Sequence, residues 1–226
     1  MQTDTVSRYE KKYILNEYKF EKLYEAAAAN LTADILNDCG GTYTICDLYY
    51  KITDSKPQSI LTLPAPKTNI CVRSYGVPTL NSNVYLEIKD NDNGKITKTR
   101  TKLPLHSAYD ALTGNFDVSD DNEVLKRIKE IRQQEKILPE LFIAYDRYAF
   151  SGCKEQDLRV TFDINIRSRD TDLALEQGDF AQQILPNRSC LMEIKTNRAY
   201  PLWLTAALAK CNMFCGSRKT YAPSDA

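Results

Sequence analysis

The sequence has little of the chemistry that metal centres and nucleophilic sites usually need. Its 226 residues include a single histidine, His106, and none of its seven cysteines forms a Cys-x-x-Cys pair. Zinc-type ligand spacing is therefore absent, and His106, which closely follows Pro104, is interpreted as a surface residue. The odd number and scattered positions of the cysteines indicate reduced thiols that serve as small buried apolar side chains.

Net charge and long apolar runs are missing as well. Lysine plus arginine and aspartate plus glutamate both total 30, so net charge indicates neither a nucleic-acid nor a membrane partner. No apolar run approaches the roughly 20 residues of a membrane-spanning helix, and the first residues lack the basic and apolar regions of a signal peptide. We expect a cytoplasmic protein without a nucleic-acid partner, in which any anion site arises from local segregation of charge.

What the sequence does have is a series of short segments that alternate between apolar and polar residues. The length suits one large domain or two small ones, and because no segment resembles a linker we predict one domain over residues 1–226. The segment Asn91-Asp92-Asn93-Gly94 carries a strong hairpin-turn signal. Strands are predicted at 6–15, 42–52, 70–76, 82–90, 95–103, 141–150, 157–167 and 189–196, and helices at 17–31, 106–112, 119–136, 172–183 and 201–214.

The predicted strand at 157–167 shows the alternation most clearly. Because side chains alternate across a strand, its apolar residues share one face and its polar residues the other. Glu87-Ile88-Lys89 and Glu193-Ile194-Lys195 repeat this arrangement, with an acid and a base on one face. Arg147 differs, since it shares a face with Ile143 and Tyr145. The two faces of the clearest strand consist of Leu158, Val160, Phe162, Ile164 and Ile166, and of Arg159, Thr161, Asp163, Asn165 and Arg167.

The charges on these polar faces are mostly basic. Strand by strand, a half-buried antiparallel sheet with a solvated polar face would explain them. If the sheet closes into a barrel, however, the charged face lines the lumen. A cationic lumen favours a phosphate chain, since Arg and Lys bind phosphate oxygens through charge-assisted hydrogen bonds, and the carboxylates could hold a bridging divalent cation. The pooled charges are Arg8, Lys12, Arg73, Lys89, Lys98, Arg100, Arg147, Arg159 and Lys195 against Glu10, Glu87, Asp163 and Glu193.

Six motifs follow one another in a characteristic order along the chain. They are Arg8-x-Glu10-x-Lys12-Tyr13, Val72-Arg73-x-Tyr75-Gly76, Glu87-x-Lys89 with Lys98-x-Arg100, Tyr145-x-Arg147-x-Ala149-Phe150, Leu158-Arg159-x-Thr161-x-Asp163, and Glu193-x-Lys195 with Pro201-x-Trp203-Leu204. Each motif alone is weak. Together they resemble the VTC domain, the polyphosphate polymerase domain of the vacuolar transporter chaperone type, over about residues 6–221. That family belongs to the triphosphate tunnel metalloenzyme superfamily.

The resemblance implies an α+β fold in which an antiparallel β-barrel, or tunnel, has a charged lumen and helices packed outside. It implies a polyphosphate polymerase that uses Mn²⁺ or Mg²⁺ to transfer the γ-phosphate of ATP to a growing polyphosphate chain, and it leaves room for a membrane-protein partner. Glu193 is expected to hold the metal, with Glu10, Glu87 and Asp163 as supporting acids. The expected phosphate-binding residues are Lys12, Arg73, Lys89, Lys98, Arg100, Arg147, Arg159 and Lys195, with Arg218 and Lys219 as candidates in the end motif.

Three positions depart from the family pattern. Cys71 stands where the first arginine of an Arg-x-Arg pair is expected, residues 48–52 lack the usual Asp-Thr pair, and residues 217–221 differ from the usual end motif. These departures keep two alternatives open beside the polymerase. One is a tunnel hydrolase acting on triphosphate or nucleoside triphosphates, and the other is a non-catalytic sensor that binds polyphosphate.

Overall fold

A computed structural model describes residues 3–34, 41–52, 68–92, 95–115, 122–152 and 157–213. Most helices and strands within these ranges match the predicted ones to within a few residues. The strands are β1 (Thr3–Leu15), β2 (Thr32–Ala33), β3 (Tyr43–Ile52), β4 (Thr68–Tyr75), β5 (Asn83–Asp92), β6 (Lys95–Pro104), β7 (Ile137–Ser151), β8 (Leu158–Arg169), β9 (Gln182–Gln183) and β10 (Cys190–Thr196). The helices are α1 (Glu17–Asn30), α2 (Leu105–Thr113), α3 (Glu123–Gln134) and α4 (Leu202–Lys210).

The strands form one sheet whose order closes on itself. Hydrogen bonds join them in the order β2-β7-β3-β4-β5-β6-β1-β10-β8-β9, and β7 also pairs with β8. The eight strands from β7 around to β8 therefore make a closed antiparallel barrel, and the predicted α+β barrel fold is confirmed. The β5–β6 hairpin is paired as far as Asp92 opposite Lys95. Asn91 and Asp92 of the predicted turn therefore belong to β5, and residues 93–94 lie outside the described residues.

The chain divides into two compact units. The first unit comprises Met1–Ser7, Ile45–Ala144 and Arg167–Gln182, and the second unit comprises Arg8–Thr44, Tyr145–Ile166 and Gln183–Ala226. Each unit has a hydrophobic core of its own. The single-domain organisation stays a prediction.

In the first unit, helices α2 and α3 cover the apolar face of the strands. Val84, Leu86 and Ile88 of β5 are fully buried in the same core as residues of both helices, among them Leu105 and Leu125. Since side chains alternate along β5, Glu87 and Lys89 lie on the opposite face of the strand. The packing of two helices thus decides which face the charged residues occupy.

In the second unit, α1 and α4 cover the strands in the same way. Met192 and Ile194 of β10 are buried in one core with Leu23 of α1 and Leu204 of α4. Aromatic rings from α1, β7 and β8 meet there at centroid distances of 5.1 to 6.2 Å, mostly tilted or edge-on, which are favourable arrangements for such pairs. This packing leaves Glu193 and Lys195 on the face away from the helices.

The helix predicted at 172–183 is wrong. Only a single 3-10 turn, Leu175–Gln177, and the short strand β9 occur there. The Arg169 guanidinium donates hydrogen bonds to the backbone carbonyls of Asp172, Ala174, Gly178 and Phe180 at 2.7 to 3.1 Å. A buried cation thus satisfies carbonyls that a helix would pair internally, and Gly178 has a φ of +115°, outside the helical range.

Other predictions from composition agree with the described part of the chain. The cysteines located there, Cys46, Cys71, Cys190 and Cys211, are unpaired and buried, and His106 is exposed. None of the described helices combines the length and the apolar character needed to cross a membrane.

Candidate functional site

The first charged face lies on strands β3 to β6 of the first unit. Its registers set Asp47 opposite Arg73, Cys71 opposite both Tyr49 and Glu87, and Lys89 opposite Lys98. Neighbouring strands therefore bring residues that are far apart in the chain into adjacent rows. We define this face as Asp47, Tyr49, Cys71, Arg73, Glu87, Lys89 and Lys98.

Glu87 is the centre of the first charged face. Its carboxylate is fully buried, and Lys98 Nζ donates to Oε1 at 3.2 Å. Lys89 Nζ and Arg73 Nη1 lie 3.7 and 3.9 Å from Oε2. Burial alone would raise the pKa of Glu87, but these three cations hold it well below its usual value. The side chain therefore stays ionised and gathers three positive charges around one point.

Asp47 completes this face, and the motif comparison missed it. Arg73 donates two parallel hydrogen bonds of 2.7 Å to its carboxylate, and Tyr49 Oη donates a longer one of 3.4 Å. Asp47 is fully buried, yet Arg73 keeps its pKa below the usual value. The sequence signal that could have identified Asp47 is the presence of a charged residue between the apolar residues Cys46 and Leu48 of a predicted strand. Three cations and two carboxylates leave this cluster with one excess positive charge.

Two positions of the first unit behave differently from the family pattern. Cys71 is fully buried, and burial raises the pKa of its thiol well above the usual value, so it adds no charge where the resemblance expects an arginine. Arg100 is directly opposite Glu87 in the register. Its guanidinium nevertheless lies 4.5 Å from the Tyr85 ring centroid and 3.4 Å from Asp4 Oδ2.

The second charged face lies on β1, β7, β8 and β10 of the second unit, and Glu193 is its centre. The side chain is 9% exposed, with Lys195 Nζ at 3.0 Å, Lys12 Nζ at 3.3 Å and Arg147 Nη2 at 3.6 Å. Burial would raise the pKa of Glu193, but the three cations lower it well below the usual value. The arrangement repeats that of Glu87. We define this face as Glu10, Lys12, Arg147, Thr161, Asp163, Glu193 and Lys195.

Arg147 and Asp163 make the most buried ion pair of the second face. Arg147 donates from Nε and Nη2 to the two Asp163 oxygens at 2.6 and 2.7 Å, and the side chains are 8% and 2% exposed. The guanidinium also lies 5.0 Å from the centroid of the Tyr145 ring. The sequence predicted that Arg147 shares its face of the strand with apolar residues. Its guanidinium accordingly lies inside the protein, where two hydrogen bonds to the Asp163 carboxylate offset the cost of burying the charge.

Arg159 lies beside this face but binds elsewhere. In the strand register, Arg159 lies opposite Lys195. Lys195 in turn lies opposite Glu10, and its Nζ is 3.2 Å from Glu10 Oε1. The Arg159 guanidinium contacts Asp34 Oδ2 at 2.6 Å and Ser151 Oγ at 3.1 Å. Asp34 belongs to no motif, so sequence reasoning could not have found this pair.

Three buried side-chain atoms have no hydrogen-bond partner within the described protein. They are Asn69 Oδ1, Glu87 Oε2 and Thr161 Oγ1. Asn69 is opposite Lys89 and Thr161 is opposite Glu193, so all three belong to strands and faces that carry the charge clusters. Such atoms are uncommon in proteins, and here they lie beside the two charge clusters.

The sequence matches the model of the VTC domain over residues 7–218. This chain belongs to the VTC domain family. No curated protein sequence matches it.

The VTC domain also resembles solved structures at low sequence identity. A Bacillus halodurans protein described as a candidate adenylate cyclase has a TM-score of 0.56 at 12% identity, with 98% of this chain and 95% of that chain covered. A Hippeastrum protein, HpAC1, is described as a candidate adenylyl cyclase with a dominant triphosphatase activity. Its TM-score is 0.50 at 11% identity, with coverages of 94% and 92%. At these identities the likeness establishes the fold.

The described part of this VTC domain brings together no three metal-ligating side chains. Glu193 offers a single carboxylate, already bordered by three cations. Mg²⁺ is commonly held by one or two carboxylates together with substrate phosphates and waters, so the residues fit a metal that arrives with a phosphate ligand and do not form a complete cage. Arg218 and Lys219 lie outside the described residues, and their roles stay predictions.

Proposed function

We propose that this VTC domain is a metal-dependent polyphosphate polymerase with ATP and polyphosphate as its ligands. The observation that carries the proposal is the repeated arrangement of a buried carboxylate with three cations, first at Glu87 and again at Glu193. A terminal phosphate oxygen of the chain would attack the γ-phosphorus of ATP, which releases ADP and lengthens the chain by one phosphate. Membership of the VTC family supports this choice of reaction.

The proposed roles follow from what phosphoryl transfer needs, namely alignment of the reactants and neutralisation of charge. Arg73, Lys89 and Lys98 would bind phosphate oxygens in the first unit. Lys12, Arg147 and Lys195 would do so in the second unit. Arg100 of the first unit and Arg159 of the second are further cations. Glu10, Glu87 and Asp163 would hold these bases in position before the phosphates arrive.

Glu193 is the proposed metal ligand, with Mn²⁺ or Mg²⁺ as the ion. When bound, a divalent ion would neutralise charge on the phosphate oxygens. Since Lys12 and Lys195 already contact Glu193, they would move from the carboxylate to phosphate oxygens as the metal and substrate enter. The Cys71 thiol of the first face is fully buried, and burial raises its pKa well above the usual value, so it is kept as a neutral thiol, which agrees with direct transfer between phosphates.

A triphosphate hydrolase is the second candidate, favoured by the triphosphatase activity in the description of HpAC1. One assay separates the candidates. The protein is incubated with ATP and Mn²⁺ or Mg²⁺, and the products are resolved on a gel and assayed for free phosphate. We expect long phosphate chains and ADP. Free phosphate without chains would instead support the hydrolase, and tight polyphosphate binding without turnover would support a sensor.

The pH dependence of binding tests the role of Lys98. Burial, together with Arg73 and Lys89, lowers the pKa of Lys98 to about 8 despite Glu87. The ammonium is charged below this pKa and neutral above it, so triphosphate affinity is expected to fall above pH 8, by up to about tenfold per pH unit. The Lys98→Arg side chain stays charged over this pH range, so the triphosphate affinity of this variant should fall less above pH 8. Titration calorimetry from pH 7 to 9 measures both proteins, and equal slopes would contradict the assignment.

A further inference from the structure

An aromatic pair lies at one end of the first charged face. The Tyr75 and Tyr85 ring centroids are 6.0 Å apart with an interplanar angle of 86°, and the Arg100 guanidinium lies 4.5 Å from the Tyr85 centroid. Tyr75 remains 44% exposed, while Tyr85 is half-buried. We name this group the tyrosine platform. It combines an exposed ring, a second ring that contacts it, and a guanidinium that packs on the second ring.

The strand registers connect the tyrosine platform to the phosphate-binding residues. Tyr85 is directly opposite Arg73 on β4 and Lys102 on β6. Tyr75 follows Arg73 by two residues on the same strand, so both side chains point to one face, with their Cα atoms about 7 Å apart. Beyond Arg73, the same face continues through Glu87 to Lys89 and Lys98. An aromatic surface therefore borders a row of cations within the first unit.

This juxtaposition suits a ligand that has both a ring and a phosphate chain. Nucleobases stack on aromatic side chains and on guanidinium planes, whereas inorganic triphosphate and polyphosphate have no ring to stack. The exposed ring is the one farther from the cation cluster around Glu87. A nucleotide bound there could place its base at the platform while its phosphates extend along the cations.

We infer that Tyr75, supported by Tyr85 and Arg100, binds the base of a nucleoside triphosphate and selects such donors over inorganic triphosphate. The inference rests on the proposed function, because it takes the cations of this face as the phosphate site. It goes further by naming the group that recognises the non-phosphate part of the donor. A purine offers the larger stacking surface, so ATP and GTP are expected to bind more tightly than CTP and UTP.

The test compares two ligands that share a triphosphate and differ in the base. Titration calorimetry with the β,γ-imido analogue of ATP and with imidotriphosphate avoids turnover. Tyr75→Ala is expected to weaken binding of the nucleotide by about 5- to 10-fold and to leave imidotriphosphate unchanged. Tyr75→Phe retains the ring and should restore nucleotide affinity. Tyr18→Ala, at a tyrosine of α1 that is 63% exposed, is the matched control and should alter neither.

The outcomes separate this inference from the proposed function. If both ligands bind the wild-type protein and Tyr75→Ala weakens both equally, or weakens neither, the base-binding role is overturned and the phosphate site stands. If neither ligand binds the wild-type protein with or without metal, the proposed function fails and the base site fails with it. A selective loss of nucleotide affinity, recovered by Tyr75→Phe, supports both.

Discussion

Glu193→Gln is expected to reduce metal-dependent ATP turnover by about 100-fold or more, on the scale of losing one well-placed charge-stabilising group. Glutamine has nearly the same shape as glutamate but is neutral, so it is a poor ligand for Mg²⁺ or Mn²⁺. The measurement is the rate of ADP release over a titration of metal concentration, with thermal unfolding recorded for both proteins. Full activity of the variant at ordinary metal concentrations would remove Glu193 from the role of metal ligand.

A second readout separates metal binding from a structural role of Glu193. Lys12, Lys195 and Arg147 lie within 3.6 Å of its carboxylate, so removing the negative charge makes this face more cationic by one unit. Metal-free binding of triphosphate should therefore become tighter in Glu193→Gln, even as metal-dependent turnover falls. A misfolded variant would lose both triphosphate binding and turnover.

Glu17→Gln is the matched control for this substitution. Glu17 is also in the second unit and also pairs with a cation, Arg188, at 3.0 Å, but both side chains are largely exposed at 50% and 77%. Exposed pairs contribute roughly 0 to 1 kcal/mol. This variant should have wild-type activity and nearly wild-type stability.

Arg147→Ala is expected to lower the free energy of unfolding by about 3–5 kcal/mol, because it leaves the buried Asp163 carboxylate without its cation. The pair is nearly inaccessible to water, with side chains 8% and 2% exposed. Urea denaturation of wild type and variant gives the difference. Arg159→Ala is the comparison, since its pair with Asp34 is 28% and 25% exposed and should contribute about 1 kcal/mol or less.

The loss of stability caused by Arg147→Ala is expected to increase with pH. Burial raises the pKa of Asp163 even beside Arg147, and removing the guanidinium would raise it further. A buried acid with a raised pKa is tolerated when protonated and penalised when ionised. The stability difference between wild type and variant should therefore be larger at pH 8 than at pH 5. A double variant, Arg147→Met with Asp163→Leu, should recover much of the loss, and failure to recover would point to a packing defect.

The sequence by itself determined which residues share a face of the sheet. Alternation along a strand is a local property with a period of two, so it placed Glu87 with Lys89 and Glu193 with Lys195 before any pairing was known. The order of the charged motifs then indicated the VTC fold, which the family match confirms. The apolar faces of the helices are also a local property of the sequence. For this reason α2, α3 and α4 were predicted close to their observed bounds.

Only the tertiary structure decided which charges meet. Arg73 binds Asp47, 26 residues away, and Arg159 binds Asp34, 125 residues away, because strand register and burial select partners that no local pattern specifies. The segment after β8 shows the same limit. Its sequence favoured a helix, but carbonyl groups that a helix would have paired internally bind the Arg169 guanidinium instead. Local periodicity fixes the face of a side chain, and the pairing of distant strands fixes its partner.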